Sequence, residues 1–289
     1  VCSSDLLLGV IGDPVGHSLS PVMHNAAIAH LGLDYVYLPF PIKSEDLEAA
    51  IAGFAAIGLV GFSITIPHKQ AIIPFLAEIS PVARLVGAVN TVWRSENGWC
   101  GTNTDVAGFL APLQPLTRDW SQIVPIILGS GGAARAVAVG CHELGCPKIG
   151  VIGRSKEKLD KFKVSWANTP LEGAIITYSW DELPRLVSET QLLVNATPLG
   201  MSPRKDESPL ETAITDRLSQ GAITYDLIYT PRPTKFLQQA QQRGAIAIDG
   251  LEMLVQQGAA ALAIWLGQQA PVAVMRQALD ADNVPLLCR

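Results

Sequence analysis

Apolar and polar residues alternate in blocks along this chain, and the period of the pattern switches repeatedly between strand-like and helix-like spacing. From Ile123 onward the rhythm is regular. Short apolar runs at Ile123–Leu128, Lys148–Ile152, Ala174–Thr177, Gln191–Asn195, Ala222–Leu227 and Ala245–Asp249 have the length and flanking polarity of strands. Helical patterns lie between them: Ala133–Leu144 closed by Gly145, Lys156–Ala167, a short one near Leu183, and Thr234–Arg243 closed by Gly244. Strands and helices in strict alternation predict βαβ units and a doubly wound parallel sheet.

The first half is α/β with a looser rhythm. Strands are expected at Leu7–Ile11, Tyr35–Phe40 and Val60–Ile64, and helices at Pro21–Leu31, at Ser44–Ile57 and after Pro67. Pro21 in a first turn and Gly32 just past the end bracket the first helix. Asn97-Gly98 is the strongest hairpin signal in the chain. If those two residues form the turn, Asn90 lies directly opposite Asp105, with Cβ atoms about 4.5–5.5 Å apart. Pro112 and Pro115 interrupt the pattern, which puts a domain boundary near residues 107–120. The helices from Leu251 onward follow the last strand and are expected to pack back onto the first half. The chain then divides into an open mixed-sheet domain, 1–106 completed by 250–289, and a Rossmann-type domain, 107–249.

Composition narrows the function. The 289 residues are 48% hydrophobic and 16% charged, enough to bury two cores. A net charge of −5 argues against a nucleic-acid footprint, which needs a concentrated basic face. No apolar run reaches the roughly 18–20 residues of a membrane helix, and Val1–Asp5 lack the basic segment of a signal peptide. The five cysteines show no CxxC spacing and no metal-ligand pattern. A cytoplasmic protein that binds small molecules and no metal, as a monomer or homodimer, is the expectation.

Gly129-Ser130-Gly131-Gly132-Ala133 joins an apolar strand to a helix, the context in which a glycine turn brings backbone N–H groups and a helix N-terminus to a pyrophosphate. It is a partial match to GxGxxG, so a plain turn needing positive φ remains an alternative. NAD-binding folds place an acid at the tip of the second strand. Here the tip reads Gly153-Arg154-Ser155, with Lys156 and Lys158 beyond. A guanidinium with hydroxyl and ammonium donors suits a 2′-phosphate, hence NADP. A solvated basic helix start is the ordinary alternative.

The first half holds a polar cluster. Ser18 and Ser20 lie two apart in one loop and suit a carboxylate, although Ser20 before Pro21 also reads as a helix cap. Lys69 follows an apolar strand at the start of a helix, a poor place for a cation on dipole grounds, which favours a functional role. His68 beside it is more simply a packed residue.

Together the segments GDPVGHSLSP (Gly12–Pro21), SITIPHK (Ser63–Lys69), GAVNT (Gly87–Thr91), NTDVAG (Asn103–Gly108), GSGGAA (Gly129–Ala134), NATPLGM (Asn195–Met201), YDLIYTPRPT (Tyr225–Thr234) and DGLEMLVQQ (Asp249–Gln257) resemble the shikimate dehydrogenase family, in the family's order and over nearly the whole chain. The resemblance implies NADP-dependent, reversible reduction of 3-dehydroshikimate to shikimate. It implies Lys69 and Asp105 as the catalytic pair. Ser18, Ser20 and Tyr229 would hold the substrate carboxylate, and Thr65, Asn90 and Gln257 the ring hydroxyls. The cofactor residues would be Gly129, Ser130, Gly131, Gly132, Ala133, Gly153, Arg154, Ser155, Lys158, Thr197, Met201, Leu227 and Gly250. Three positions depart from the pattern: Ser63 stands where Asn is usual, Gly153-Arg154-Ser155 where Asn-Arg-Thr is usual, and Glu252 where Gly is usual. The rival readings are a quinate/shikimate dehydrogenase with broader cofactor use, a catalytically silent NADP-binding regulator, and a methylene-folate dehydrogenase of the same plan.

Overall fold

Six strands of the first half form one mixed sheet in the computed structural model, which describes residues 6–280. Val1–Asp5, Cys2 and Cys288 lie outside the described residues. The strands are β1 (Leu6–Gly12), β2 (Tyr35–Pro41), β3 (Gly61–Ile64), β4 (Glu78–Ile79), β5 (Thr91–Ser95) and β6 (Gly98–Thr102), in the spatial order β2-β1-β3-β5-β6-β4. β1 runs parallel to β2 and β3, β5 is antiparallel to both β3 and β6, and β4 is parallel to β6. β4, two residues long, carries no period that a sequence pattern reveals.

This topology has a consequence for chemistry. The carboxyl ends of β1, β3 and β6 and the amino end of β5 all fall at the same edge of the sheet. The loops holding Ser18 and Ser20, Thr65 and Lys69, Asn90, and Asp105 therefore start from one place.

The hairpin differs from the expected register. Ser95 pairs with Gly98 and Thr91 with Thr102, so the turn residues are Glu96 and Asn97, and Asn90 is not the cross-strand partner of Asp105. The Ser95 hydroxyl decides this: it accepts from Asn97 N–H at 3.3 Å and donates to the Gly98 carbonyl at 2.9 Å, closing the turn one residue earlier. Gly98, at φ 122°, supplies the positive φ just after the turn. The expected Ser44–Ile57 helix is a 3-10 turn over Ser44–Asp46 followed by an α-helix over Leu47–Ala56.

The second half forms a six-stranded, all-parallel sheet of β7 (Ile126–Leu128), β8 (Ile149–Ile152), β9 (Ile175–Tyr178), β10 (Leu192–Asn195), β11 (Ile223–Asp226) and β12 (Ile246–Ile248), in the order β12-β11-β10-β7-β8-β9. Strand order reverses at β7, the topological switch point where ligands bind beyond the carboxyl ends of a doubly wound sheet.

The chain separates into two compact units, one running up to Gly108 and resuming at Leu254, the other Phe109–Met253. Each has its own core. In the first, Phe54, Phe62, Ile64, Val89, Val92 and Trp99 pack together, and in the second Ile126, Leu128, Leu186, Leu193, Phe236 and Leu237 do so. Each such side chain taken from water contributes about 1.5–3 kcal/mol. In the first unit the Trp265 Nε1 donates to the Val92 carbonyl at 2.9 Å, tying the Leu251–Leu266 helix to β5.

Packing in the second unit is tight at Gly140, in the last turn of the Gly132–Glu143 helix. A Cβ there would meet the Phe109 ring at 2.5 Å. Phe109 is fully buried and stacked on Tyr225 with centroids 5.2 Å apart, so it has nowhere to yield. Ala gains about 1 kcal/mol of helix propensity over Gly, against about 1–3 kcal/mol for overpacking. Gly140→Ala is expected to lower the melting temperature by about 2–6 °C in a thermal scan. A raised melting temperature contradicts this packing.

Candidate active site

Lys69 is the second residue of the short His68–Ala71 helix, and its Nζ lies 2.5 Å from Asp105 Oδ2. Asp105 begins the helix that follows β6, and its side chain is 6% exposed against 18% for Lys69. A carboxylate this buried requires both a counter-charge and hydrogen bonds. It has both. The Asn90 amide donates to the carboxylate at Oδ1, 2.8 Å away; separately, the Asp105 backbone N–H donates to Asn103 Oδ1 at 3.0 Å and holds the residue in place. Asn90 and Asp105 are thus joined by side chains across the open end of the hairpin, although the register does not place them opposite each other.

Asn90 is itself fixed. Its Oδ1 accepts from the Thr104 backbone N–H at 2.8 Å and from the Thr91 hydroxyl at 3.0 Å, and its amide reaches Gln257 Oε1 at 3.3 Å. Gln257 in turn donates to the Leu254 carbonyl at 2.8 Å. Thr65, half-buried, donates its backbone N–H to the Ile11 carbonyl at 2.9 Å, and Val89 N–H donates to the Lys69 carbonyl at 2.7 Å. These bonds tie the segment after β3 to β1 on one side and to the residues just before β5 on the other. The structure therefore brings Lys69, Asp105, Asn90 and Gln257 into one hydrogen-bonded group, with Thr65 on the adjoining loop.

His68 is fully buried, with Nε2 on the Ile42 carbonyl at 2.7 Å, so it is a packed residue and no base. Ser20 is not a helix cap. It is the first helical residue, Leu19 occupies the cap position without a side-chain bond, and Ser18 Oγ accepts the Ser20 N–H at 3.3 Å. The capping work expected of Ser20 falls to Ser18, and the Ser20 hydroxyl is left for other partners.

In the second unit the glycine turn follows β7. Gly129 has φ 104°, and a Cβ there would meet the Ala196 carbonyl oxygen at 3.1 Å, so this position requires glycine. Gly131 caps the next helix without any side-chain bond, and a Cβ on it would meet nothing within 4 Å. Open space above an uncapped helix N-terminus fits a phosphate, and Ser130, Gly132 and Ala133 share that turn. At the tip of β8, Gly153 packs against Leu159 and Arg154 is exposed. The Ser155 hydroxyl caps the following helix by accepting Lys158 N–H at 3.3 Å, which leaves its proton free to donate. Arg154 borders a cavity of ≈ 630 Å³ that also holds Trp180, Leu199 and Lys235, together with Asp206 and Glu211. With acids in that lining, the Arg154 tip is the part of it whose charge could hold a 2′-phosphate. This donor set fits NADP.

Sequence reasoning missed a hub here. Asp226, last residue of β11, is fully buried, and burial pushes its carboxyl up to about 6 against the downward pull of its bonds to Thr234, Ile228 and Asn195. It accepts from the Thr234 hydroxyl at 2.6 Å, the Ile228 N–H at 3.1 Å and the Asn195 amide at 3.0 Å. Asn195 Oδ1 accepts from the Thr197 hydroxyl at 2.7 Å. One carboxyl therefore sets both the loop carrying Thr197 and Met201 and the loop carrying Leu227 and Tyr229. A Cβ on Gly250 would strike the Leu227 carbonyl oxygen, so these two positions touch through backbone alone. A carboxylate closing an apolar strand is the signal that marks Asp226 in the sequence.

Sequence models match residues 10–92 to the shikimate dehydrogenase substrate binding domain and residues 250–279 to the shikimate 5'-dehydrogenase C-terminal domain. The shikimate dehydrogenase (NADP(+)) of Gloeothece citriformis is 66% identical over 273 residues, 94% of this chain and 95% of that protein. The chain belongs to the shikimate dehydrogenase family. Within that family, the solved shikimate dehydrogenase of Aquifex aeolicus is 35% identical, with a TM-score of 0.86 over 97% of this chain and 99% of that one. The shikimate 5-dehydrogenase of Thermus thermophilus, solved in complex with NADP(H) and shikimate, is 32% identical, with a TM-score of 0.81 over 94% and 98% of the two chains. Among the described residues no helix is long and apolar enough to cross a membrane.

The Asp226 hub has a measurable signature. An acid whose pKa is raised on folding stabilises the fold below its ordinary range, and that contribution disappears as pH climbs through about 6. The full effect is on the order of 3 kcal/mol. The melting temperature of the wild type relative to Asp226→Asn is expected to fall between roughly pH 4 and pH 7. A difference independent of pH contradicts a buried, costly carboxylate.

Proposed function

We propose that this chain catalyses the NADP-dependent, reversible reduction of 3-dehydroshikimate to shikimate, in the pathway to chorismate and the aromatic amino acids. The observation that carries the reading is the Lys69–Asp105 contact at 2.5 Å, beside Asn90 and Gln257. Residues up to Gly108, with those from Leu254, act as the substrate domain, and Phe109–Met253 as the cofactor domain. NADPH, when bound, supplies the hydride to the ketone carbon.

The residues of this chain handle the rest. As hydride arrives, the ketone oxygen gains negative charge. The Lys69 ammonium stabilises that charge and passes a proton to the oxygen, completing the hydroxyl. Asp105 keeps Lys69 aimed at the oxygen and accepts a hydrogen bond from the new hydroxyl. Asn90, Thr65 and Gln257 hold the other ring hydroxyls, and Ser18, Ser20 and Tyr229 hold the carboxylate. On the cofactor side the turn Gly129–Ala133 takes the pyrophosphate. Arg154, with Ser155, Lys158 and Gly153, takes the 2′-phosphate. Thr197, Met201, Leu227 and Gly250 shape the nicotinamide end.

The reading extends to a monomer or homodimer in a reducing cytoplasm, in keeping with the free, buried thiols of Cys100, Cys141 and Cys146. One preparation tests both parts. Absorbance of NADPH is followed with shikimate and with quinate, each with NADP and NAD, and native mass is measured on the same sample. Shikimate with NADP is expected to give the highest kcat/KM, from a particle no larger than a dimer. Equal rates with quinate or NAD indicate the broader quinate/shikimate enzyme, and no turnover indicates a silent NADP-binding protein.

A further inference from the structure

Tyr37, on β2, is fully buried against the helix that begins at Ser20 and includes His24. Its ring stacks on His24 with centroids 4.2 Å apart and lies 5.9 Å from Trp265. Asn25 holds its backbone on both sides, donating to the Tyr37 carbonyl at 2.9 Å and accepting its N–H at 2.8 Å. The ring is therefore fixed. Its hydroxyl lies within reach of the Ser63 and Ser20 side chains, yet neither pairing reaches hydrogen-bond geometry and the oxygen has no partner. Ser20 and Ser63 are each 7% exposed. His24 adds no charge to this pocket, because burial lowers its pKa to about 3.

A buried phenol without a partner costs about 1–3 kcal/mol, and Phe would fill the same stack without that cost. A serine hydroxyl has one proton and two lone pairs. A Ser20 whose proton goes to an anion keeps a lone pair open, and donating to the anion makes that lone pair a better acceptor. Ser20 is the first helical residue and Leu19 holds the cap position, so the Ser20 hydroxyl is not placed as a cap.

We propose that Tyr37 is a positioning residue for substrate binding: its hydroxyl donates to Ser20 Oγ and so directs the Ser20 proton to the substrate carboxylate. The inference rests on the carboxylate role given to Ser20 above. Ser63, where the family usually has Asn, is the competing acceptor, within reach of the same hydroxyl.

The test uses the full chain with Tyr37→Phe, Ser20→Ala and the double variant, measuring kcat, KM for shikimate, KM for NADP and melting temperature. Tyr37→Phe is expected to raise KM for shikimate about three- to tenfold, with kcat and KM for NADP held and the melting temperature raised, since the buried unpartnered hydroxyl is gone. In the Ser20→Ala background it should add nothing. An unchanged KM for shikimate, or a rise that multiplies with that of Ser20→Ala, overturns the proposal. If Tyr37→Phe does not fold, Ser63→Ala decides: removal of the competing acceptor should lower KM for shikimate, and an unchanged or higher value overturns the proposal. A wild type that does not reduce NADP with shikimate removes the underlying reading, whereas an active wild type with an indifferent Tyr37→Phe removes this inference alone.

Discussion

The ion pair between Lys69 and Asp105 is the constraint on which the first unit is built. Stripping water from a carboxylate costs several kcal/mol, and one cation at 2.5 Å offsets it only when the remaining lone pairs are also bonded. Asn90 meets that need, and Thr91, Thr104 and Asn103 in this arrangement hold Asn90 and Asp105 still. The result is an ammonium with a fixed address at the edge where four strand ends converge. Such preorganisation is what proton delivery to a developing oxyanion requires, since no reorientation remains to be done during the reaction.

The second unit solves a parallel problem with a different set of donors. Asp226 is buried with hydrogen bonds from Thr234, Asn195 and Ile228, all of them neutral groups, so its ionisation stays expensive. In return two loops beyond the parallel sheet are locked to one point. The glycine turn after β7 does the converse: Gly129 is pressed against Ala196, while Gly131 opens onto space at an uncapped helix end. A rigid rim around open space at a helix N-terminus is the outcome.

Much of this is legible in the chain. The alternation of runs from Ile123 onward is the parallel sheet, because buried parallel strands leave nearly continuous apolar segments. Lys69 stands out because a cation at a helix start has no ordinary reason to be there. What escapes the pattern is set by side chains acting locally. Ser95 pulls the hairpin turn back from Asn97-Gly98, Ser18 takes the Ser20 backbone N–H, and β4 is too short to have a period. Asp226 is hidden inside a recognisable segment because its neighbours Leu227 and Tyr229 draw the functional reading. The pairing of Asn90 with Asp105 follows in the sequence from a register that the hairpin does not have. In the structure it arises because Asp105 leaves β6 and begins a helix that turns its carboxyl back.

If Lys69 and Asp105 act as one unit, a double-mutant cycle on kcat shows it. Lys69→Ala, Asp105→Ala and the double variant are compared with the wild type, with folding checked by melting temperature. Each single change is expected to lower kcat by roughly a hundredfold or more, and the double variant to be no slower than the worse single one. Losses that multiply in the double variant, or near-normal turnover in Lys69→Ala, would contradict the account.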